Sequence, residues 1–284
     1  MWTHRLQHRG GRLALPGAHQ SQGQRPVSIA VTWLGHSTVV LDIDGVRIVA
    51  DPLLQRHNGL LIRRGRRPDR AAWAGASAAL LSHLHHDHAE VASLRLLGDV
   101  PVLTAQPNAR WATRKGFNGH GLQPDEWKPI SGSEVEIRLA PAVHAARPMP
   151  HRPNAANGHL VRGPSGIVWV AGDTELFDGM EELPALAGGP IDLALVPVGG
   201  WGPRLSPGHL GPAEASVACR RVGARCAIPV HWGTLHPPAV QAWPGGWMDT
   251  PGPRFAAALP IEAPSCRPVV LGLGGSFTLS TSQD

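Results

Sequence analysis

The sequence predicts a layered α/β sandwich, with two sheets inside and helices outside, on three observations. Short β-branched runs broken by glycine begin at residue 28 and recur to residue 280. Stretches with apolar residues at helical spacing follow several of those runs. The strands come in two groups along the chain, which is the pattern of two sheets packed face to face.

The elements follow in order. "SIAVTWL", the Gly35-His36 turn, "STVVLDI", a Gly45 turn and "VRIVADP" read as an antiparallel meander. "SAALLS" (77–82) reads as a buried strand, and "AEVASLRLL" (89–97) as a helix with acidic Glu90 in its first turn. "VPVLT" (100–104) is a strand, and "PNARWATRKG" is a helix ending at Gly116. The second group holds "SEVEIRLAPAVH" (133–144), "GIVWVAGDT" (166–174), "IDLALVPVGG" (191–200), "ARCAIPVHWGT" (224–234) and "RPVVLGLGGSFTLS" (267–280). "GPAEASVACRRVG" reads as a helix with Pro212 in its first turn, and 236–254 as a Pro/Trp/Gly-rich loop. No internal repeat of solenoid period is present.

A chain of 284 residues is near the upper end of what one hydrophobic core supports, so residues 28–284 are expected to form a single domain. Residues 1–27 form a basic N-terminal tail without the apolar segment of a secretory signal. No apolar run approaches the ~20 residues of a membrane-spanning helix. Cys219, Cys226 and Cys266 are widely spaced and match no CxxC pattern, which argues for a reducing, cytoplasmic setting. The net charge of +5 permits an anionic partner without demanding one. The densest basic run, "LIRRGRRPDR", reads as a solvated loop, with an anion-attracting rim as the sharper alternative.

Chemistry concentrates in "LLSHLHHDHAEV" (80–91). A quarter of the chain's 16 histidines fall within the six positions 83–88, directly behind an apolar strand. Open α/β sheets place their ligand sites at such strand ends. In this H-x-H-x-D-H pattern, His83 and His85 can bind one ion, and Asp87 and His88 can turn toward a second about 3.5–4 Å away. Two ions need more ligands, and His144, Asp173 and His231 each end a predicted strand. His83, His85 and His144 would hold one ion, and Asp87, His88 and His231 the other, with Asp173 bridging. Imidazole and carboxylate without thiolate suit two divalent ions, zinc above all, with manganese or iron as alternatives.

These residues resemble the metallo-β-lactamase superfamily of metallohydrolases: "SHLHHDH", then His144, "AGDT" and "PVHWGT", across nearly the whole chain from residue 32. "TWLGHSTVVLDIDGVRIVADP" and "VHWGT" are most similar to the branch containing N-acylphosphatidylethanolamine phospholipase D and the ascorbate-6-phosphate lactonases. The resemblance implies a four-layer αββα sandwich with the metals at one edge, and the seven ligands just named. It also implies that Asp51 of the early "DP" step supports the metal loop as a hydrogen-bond acceptor. True β-lactamases of this fold commonly carry a cysteine or another residue where this chain has Asp173, so β-lactam hydrolysis is not expected.

The expected function is that of a binuclear metal-dependent hydrolase. A metal-bridging hydroxide, with Asp87 orienting it, would attack a small ester, lactone or phosphodiester. The expected partner is a small anionic or ester substrate, handled as a lactonase or a phosphodiesterase would. His209 in "SPGHLGP" is a candidate proton donor, and His36, Arg147 and Trp201 are candidate substrate contacts, with Trp243 and Trp247 on a nearby loop. The alternative is a nuclease-like phosphodiesterase acting on nucleic acid. It lacks an aromatic stacking platform and the tRNA-gripping arm of ribonuclease Z-type enzymes. A non-catalytic metal-binding or redox module is the third reading, and the intact ligand set weighs against it.

Overall fold

The computed structural model describes residues 28–144, 152 and 155–279. Arg147 and the basic tail of residues 1–27 lie outside the described residues.

The first half of the chain builds one seven-stranded sheet. Its strands are β1 (Ile29–Gly35), β2 (Thr38–Ile43), β3 (Val46–Ala50), β6 (Ala78–Leu80), β7 (Pro101–Ala105), β8 (Asn118–Leu122) and the late β17 (Ser276–Leu279). Their spatial order is β17-β1-β2-β3-β6-β7-β8. The meander read from the sequence is the antiparallel half of this sheet, and β3, β6, β7 and β8 continue it in parallel.

The second sheet repeats this plan. It runs β16 (Arg267–Pro268), β14 (Cys226–Val230), β13 (Leu193–Pro197), β12 (Gly166–Val170), β11 (Gly158–Gly163), β10 (Glu136–Ala140) and β9 (Lys128–Pro129). Here β9 to β12 pair antiparallel, and β12, β13, β14 and β16 pair in parallel. β13 and β14 are buried at every position, as parallel strands covered on both faces must be. A small third sheet joins β4 (His57–Asn58), β5 (Leu61–Arg63) and β15 (Leu235–His236).

Alternation along β1 to β3 decides which face meets the other sheet. Val31, Leu41 and Ile48 point into the core shared with Ile137, Val168 and Leu195, while Val40 and Val49 point outward under Trp73. On that outer side α1 (Val91–Leu96) and α2 (Gln106–Arg114) cover Ala79, Leu81 and Val102 with Leu94 and Trp111. α3 (Leu183–Ala187), α4 (Pro212–Arg221) and α5 (Pro251–Glu262) cover the second sheet, α4 packing on α5. The layers are therefore helix, sheet, sheet, helix, as the sequence predicts.

Three elements differ from the sequence reading. β8 and β11 were not legible, because glycine and histidine dilute their strand signal. α5 begins inside the segment expected to be loop. Pro251 and Pro253 stand at the first and third helical positions, where the amide hydrogens have no intrahelical acceptor anyway, and Pro260 stands inside the last turns. Cys219, Cys226 and Cys266 are all free and buried in one core. No helix of the described residues is long and apolar enough to cross a membrane.

Candidate metal centre

Every candidate ligand hangs from a strand end on one edge of the sandwich. The loop after β6 carries His83, His85, Asp87 and His88; His144 follows β10, Asp173 follows β12 and His231 follows β14. Their side chains gather into two overlapping clusters. His83, His85, His144 and Asp173 offer four ligand atoms within 4.8 Å of one another, and so do His36, Asp87, His88 and His231. Asp173 also groups with His209 and His231.

The loops are drawn together by small residues and backbone bonds. Gly172 adopts φ +65°, and a Cβ there would stand 2.6 Å from that of Ser82, so only glycine lets Asp173 approach the histidine loop. The amide of Val143 donates to Thr174 Oγ1 at 2.9 Å, and that of Glu175 to the Val143 carbonyl at 3.0 Å, which couples His144 to Asp173.

Whether metal ions suit this site can be read from the ring nitrogens. His144 Nδ1 lies 2.7 Å from the Gly208 carbonyl, and His231 Nδ1 lies 2.7 Å from the Gly199 carbonyl. A carbonyl only accepts, so each Nδ1 carries the proton and each Nε2 turns a lone pair inward. His88 Nδ1 donates to Asp51 Oδ2 at 2.8 Å with the same result. The inward nitrogens then crowd one another: His83 Nε2 and His85 Nδ1 at 2.6 Å, His85 Nδ1 and His144 Nε2 at 3.0 Å, His88 Nε2 and His231 Nε2 at 3.2 Å. Both oxygens of Asp173 are buried without a hydrogen-bond partner among the described residues. Its Oδ2 stands 3.8 Å from His83 Nε2, 3.1 Å from His88 Nε2 and 3.4 Å from His231 Nε2, between the two clusters. Converging lone pairs around a buried carboxylate without hydrogen bonds are costly unless cations sit among them, so the residues fit divalent metal ions.

The surroundings hold the ligands in that state. Asp51 takes the Ser82 amide on Oδ1 at 2.8 Å and the Ser82 hydroxyl on Oδ2 at 2.7 Å while holding His88. Burial pushes the basicity of His83 well down, and His85 falls to about 4 for the same reason, aided by the charge of His88. Burial would raise the Asp87 and Asp173 carboxyls, but neighbouring histidines hold both well below the usual range. His88 is the exception: burial works against its charged form, but Asp173, Asp51 and Asp87 outweigh it and raise His88 well above 6.5, so without metal it holds on Nε2 a proton that an ion would have to displace.

Of the remaining candidates, His209 reaches the centre: its Nε2 lies 3.2 Å from Asp173 Oδ2. His36 corrects the expectation of a substrate contact. It is fully buried, and its Nε2 hydrogen bonds Asp87 Oδ2 at 2.8 Å, so it meets a candidate ligand and not the mouth. The Gly35-His36 turn signals a tight bend in sequence, but nothing local shows that the ring folds inward. Trp201 is 48% exposed on the loop after β13 and does not line the neighbouring cavity, whereas Trp247 does.

The sequence profile of the beta-lactamase superfamily domain matches residues 46–232, a span that holds all seven candidate ligands and ends just after His231. The chain belongs to that superfamily. N-acyl-phosphatidylethanolamine-hydrolyzing phospholipase D 1 of Caenorhabditis elegans is 27% identical over 230 residues, 72% of this chain. The match spans 63% of that relative, so this chain covers less than two thirds of its length. A metal-dependent hydrolase of Pyrobaculum aerophilum is 28% identical over 208 residues, covering 72% of this chain and 84% of its own. Among solved structures, the metallo hydrolase Igni18 of Ignicoccus hospitalis superposes with a TM-score of 0.70 at 20% identity, over 90% of this chain and all of that one. That likeness carries the fold.

Proposed function

We propose that the chain is a binuclear metal-dependent hydrolase of a small ester, lactone or phosphodiester. The observation that carries this is the placement of Asp173 between two histidine clusters, with His144 and His231 each turning an Nε2 lone pair inward. His83, His85 and His144 would hold one ion, Asp87, His88 and His231 the other, and Asp173 both, with zinc favoured by the nitrogen-rich set. When bound, two such ions supply a water that ionises near neutral pH and Lewis acidity toward a carbonyl or phosphoryl oxygen. Relatives named as metal-dependent hydrolases and as a phospholipase D support this chemistry class.

The chain's own residues supply the rest. Asp87 Oδ2 is tied to His36, which fixes the carboxylate plane and leaves Oδ1 to orient a water and take its proton. His209 is partly exposed; burial lowers its basicity, but Asp173 and the Ser206 and Pro207 carbonyls together raise it above the ordinary value. It is therefore poised in its charged form at the mouth, where it can give a proton to a departing oxygen.

The test combines elemental mass spectrometry of purified protein with turnover of bis-p-nitrophenyl phosphate and of an aryl ester or lactone. About two ions per chain and chelator-sensitive hydrolysis are expected, and the preferred substrate separates phosphodiesterase from lactonase. Asp173→Ala should lose both ions and all turnover; a variant that keeps two ions per chain would remove Asp173 from its bridging place. His209→Ala should lower kcat/KM more than tenfold, and a change within twofold would remove it from the reaction.

A further inference from the structure

A cavity of about 320 Å³ flanks the metal centre on the β14 side. It opens between the loop after β13, the turn after β14 and the start of α5, at the same edge of the second sheet from which Asp173 and His231 project. The contact with the centre is close. Gly199, whose carbonyl takes the His231 Nδ1 proton, lines the cavity, and so does Gly200, whose Cβ would stand 4.0 Å from His231 Cε1.

Its walls mix two indole faces, Trp232 and Trp247, with polar glycine backbone. The Trp232 ring stacks on Trp33 with centroids 5.2 Å apart, and its Nε1 donates to the Pro229 carbonyl at 3.0 Å. Gly252 leaves that ring its space, since a Cβ there would lie 2.3 Å from Trp232 Cζ2. Trp247 is pinned by its own Nε1, which donates to the Val240 carbonyl at 2.9 Å. Among the lining residues Arg254 alone is ionisable, and among the described residues no carboxylate pairs with it. A guanidinium at the wall of a cavity between two indoles is a receptor for an oxyanion on a flat or aliphatic body.

We propose that this cavity is the specificity subsite, holding the non-reacting part of the substrate, whose terminal carboxylate or phosphate Arg254 grips. The proposal rests on the hydrolase reading for the reaction, but not for the binding. Occupied this way, the substrate carries its anion to the α5 wall and its reacting bond toward His231.

Metal-loaded protein is assayed on three acyl esters that differ only at the chain end: 4-nitrophenyl pentanoate, mono-4-nitrophenyl glutarate and 4-nitrophenyl 4-phosphonobutanoate. The wild type should favour one or both anionic esters over the neutral one by at least tenfold in kcat/KM, and the better of the two identifies the oxyanion. Arg254→Met should bring that ratio near one, Arg254→Lys should restore part of it, and exposed Arg110→Met should leave it unchanged. Gly245→Leu projects into open space and should raise KM for all three by filling the cavity. Quenching of tryptophan fluorescence by glutarate or by a short alkyl phosphonate reads binding without turnover. Equal ratios in wild type and Arg254→Met, with equal quenching, overturn the subsite and leave the hydrolase reading standing. Quenching that depends on Arg254, with no ester turned over, keeps the subsite and overturns ester hydrolysis.

Discussion

Asp51 shows how one residue sets the state of a ligand it does not replace. Its two oxygens accept from the Ser82 amide, the Ser82 hydroxyl and His88 Nδ1, so both oxygens already face donors. Asp51→Asn would put an amide NH₂ against one of these donors. Metal affinity should fall roughly 10–100-fold with the fold intact, as measured by competition with a chromophoric chelator. An unchanged affinity would mean that His88 is oriented by its packing alone. The sequence exposes Asp51 only through the "DP" resemblance, since an aspartate after a strand has no local mark of its partner 37 residues on. The histidine loop is legible directly, because its spacing is itself the chemistry. His36 is the contrary case: its ring direction follows from φ of 53° and from bonds to Asp87, Thr234 and His231, all remote in sequence.

The strand–loop units are where close approach matters more than residue chemistry. Gly172 sits at the step from β12 to Asp173, with the Ser82 side chain against its Cα. Gly172→Ala imposes both a strained positive φ and a 2.6 Å contact. It should cost about 1–3 kcal/mol of stability by chemical denaturation. It should also weaken metal binding by pushing Asp173 away from the histidine loop. Loss of stability without loss of metal would show that the two loops move as one body. The arginine run at 63–70 belongs to the same level. Arg63, read as part of a surface loop, is buried and donates to the carbonyls of Leu34, Gln55 and Leu53. Burial brings its guanidinium down to about 10. Arg64 pairs with Asp249 at 2.5 Å. Arg63 therefore staples the small third sheet to the first sheet and is not part of a solvated rim.

Across the molecule, acid is the expected weakness. His159 on β11 is buried between the sheets beside Asn157 and the Leu103 carbonyl, and burial lowers it to about 4. It is neutral in the folded state, whereas an unfolded chain would protonate it below its ordinary 6.5. The unfolded state thus binds more protons, so stability falls as pH drops from about 6.5 toward 4. The largest loss from this one group is on the order of 3 kcal/mol. Metal-free His159→Gln should show a shallower loss across that window in urea titrations at several pH values. A slope identical to the wild type would place the acid sensitivity in the histidines of the metal centre.

The sequence alone determined the chemistry and the layering. The H-x-H-x-D-H spacing, the ligands at strand ends, the alternating and fully apolar strands and the intact Asp173 are local facts, readable because metal coordination and strand burial impose local periods. Only the tertiary structure decided what distant segments do to one another. It turned His36 inward onto Asp87, buried Arg63, gathered three cysteines in one core and put Arg254 on the wall of a cavity that Gly199 and Gly200 also line, beside His231. Such pairings span loops of tens to hundreds of residues, and no local pattern encodes which side chains those loops bring face to face.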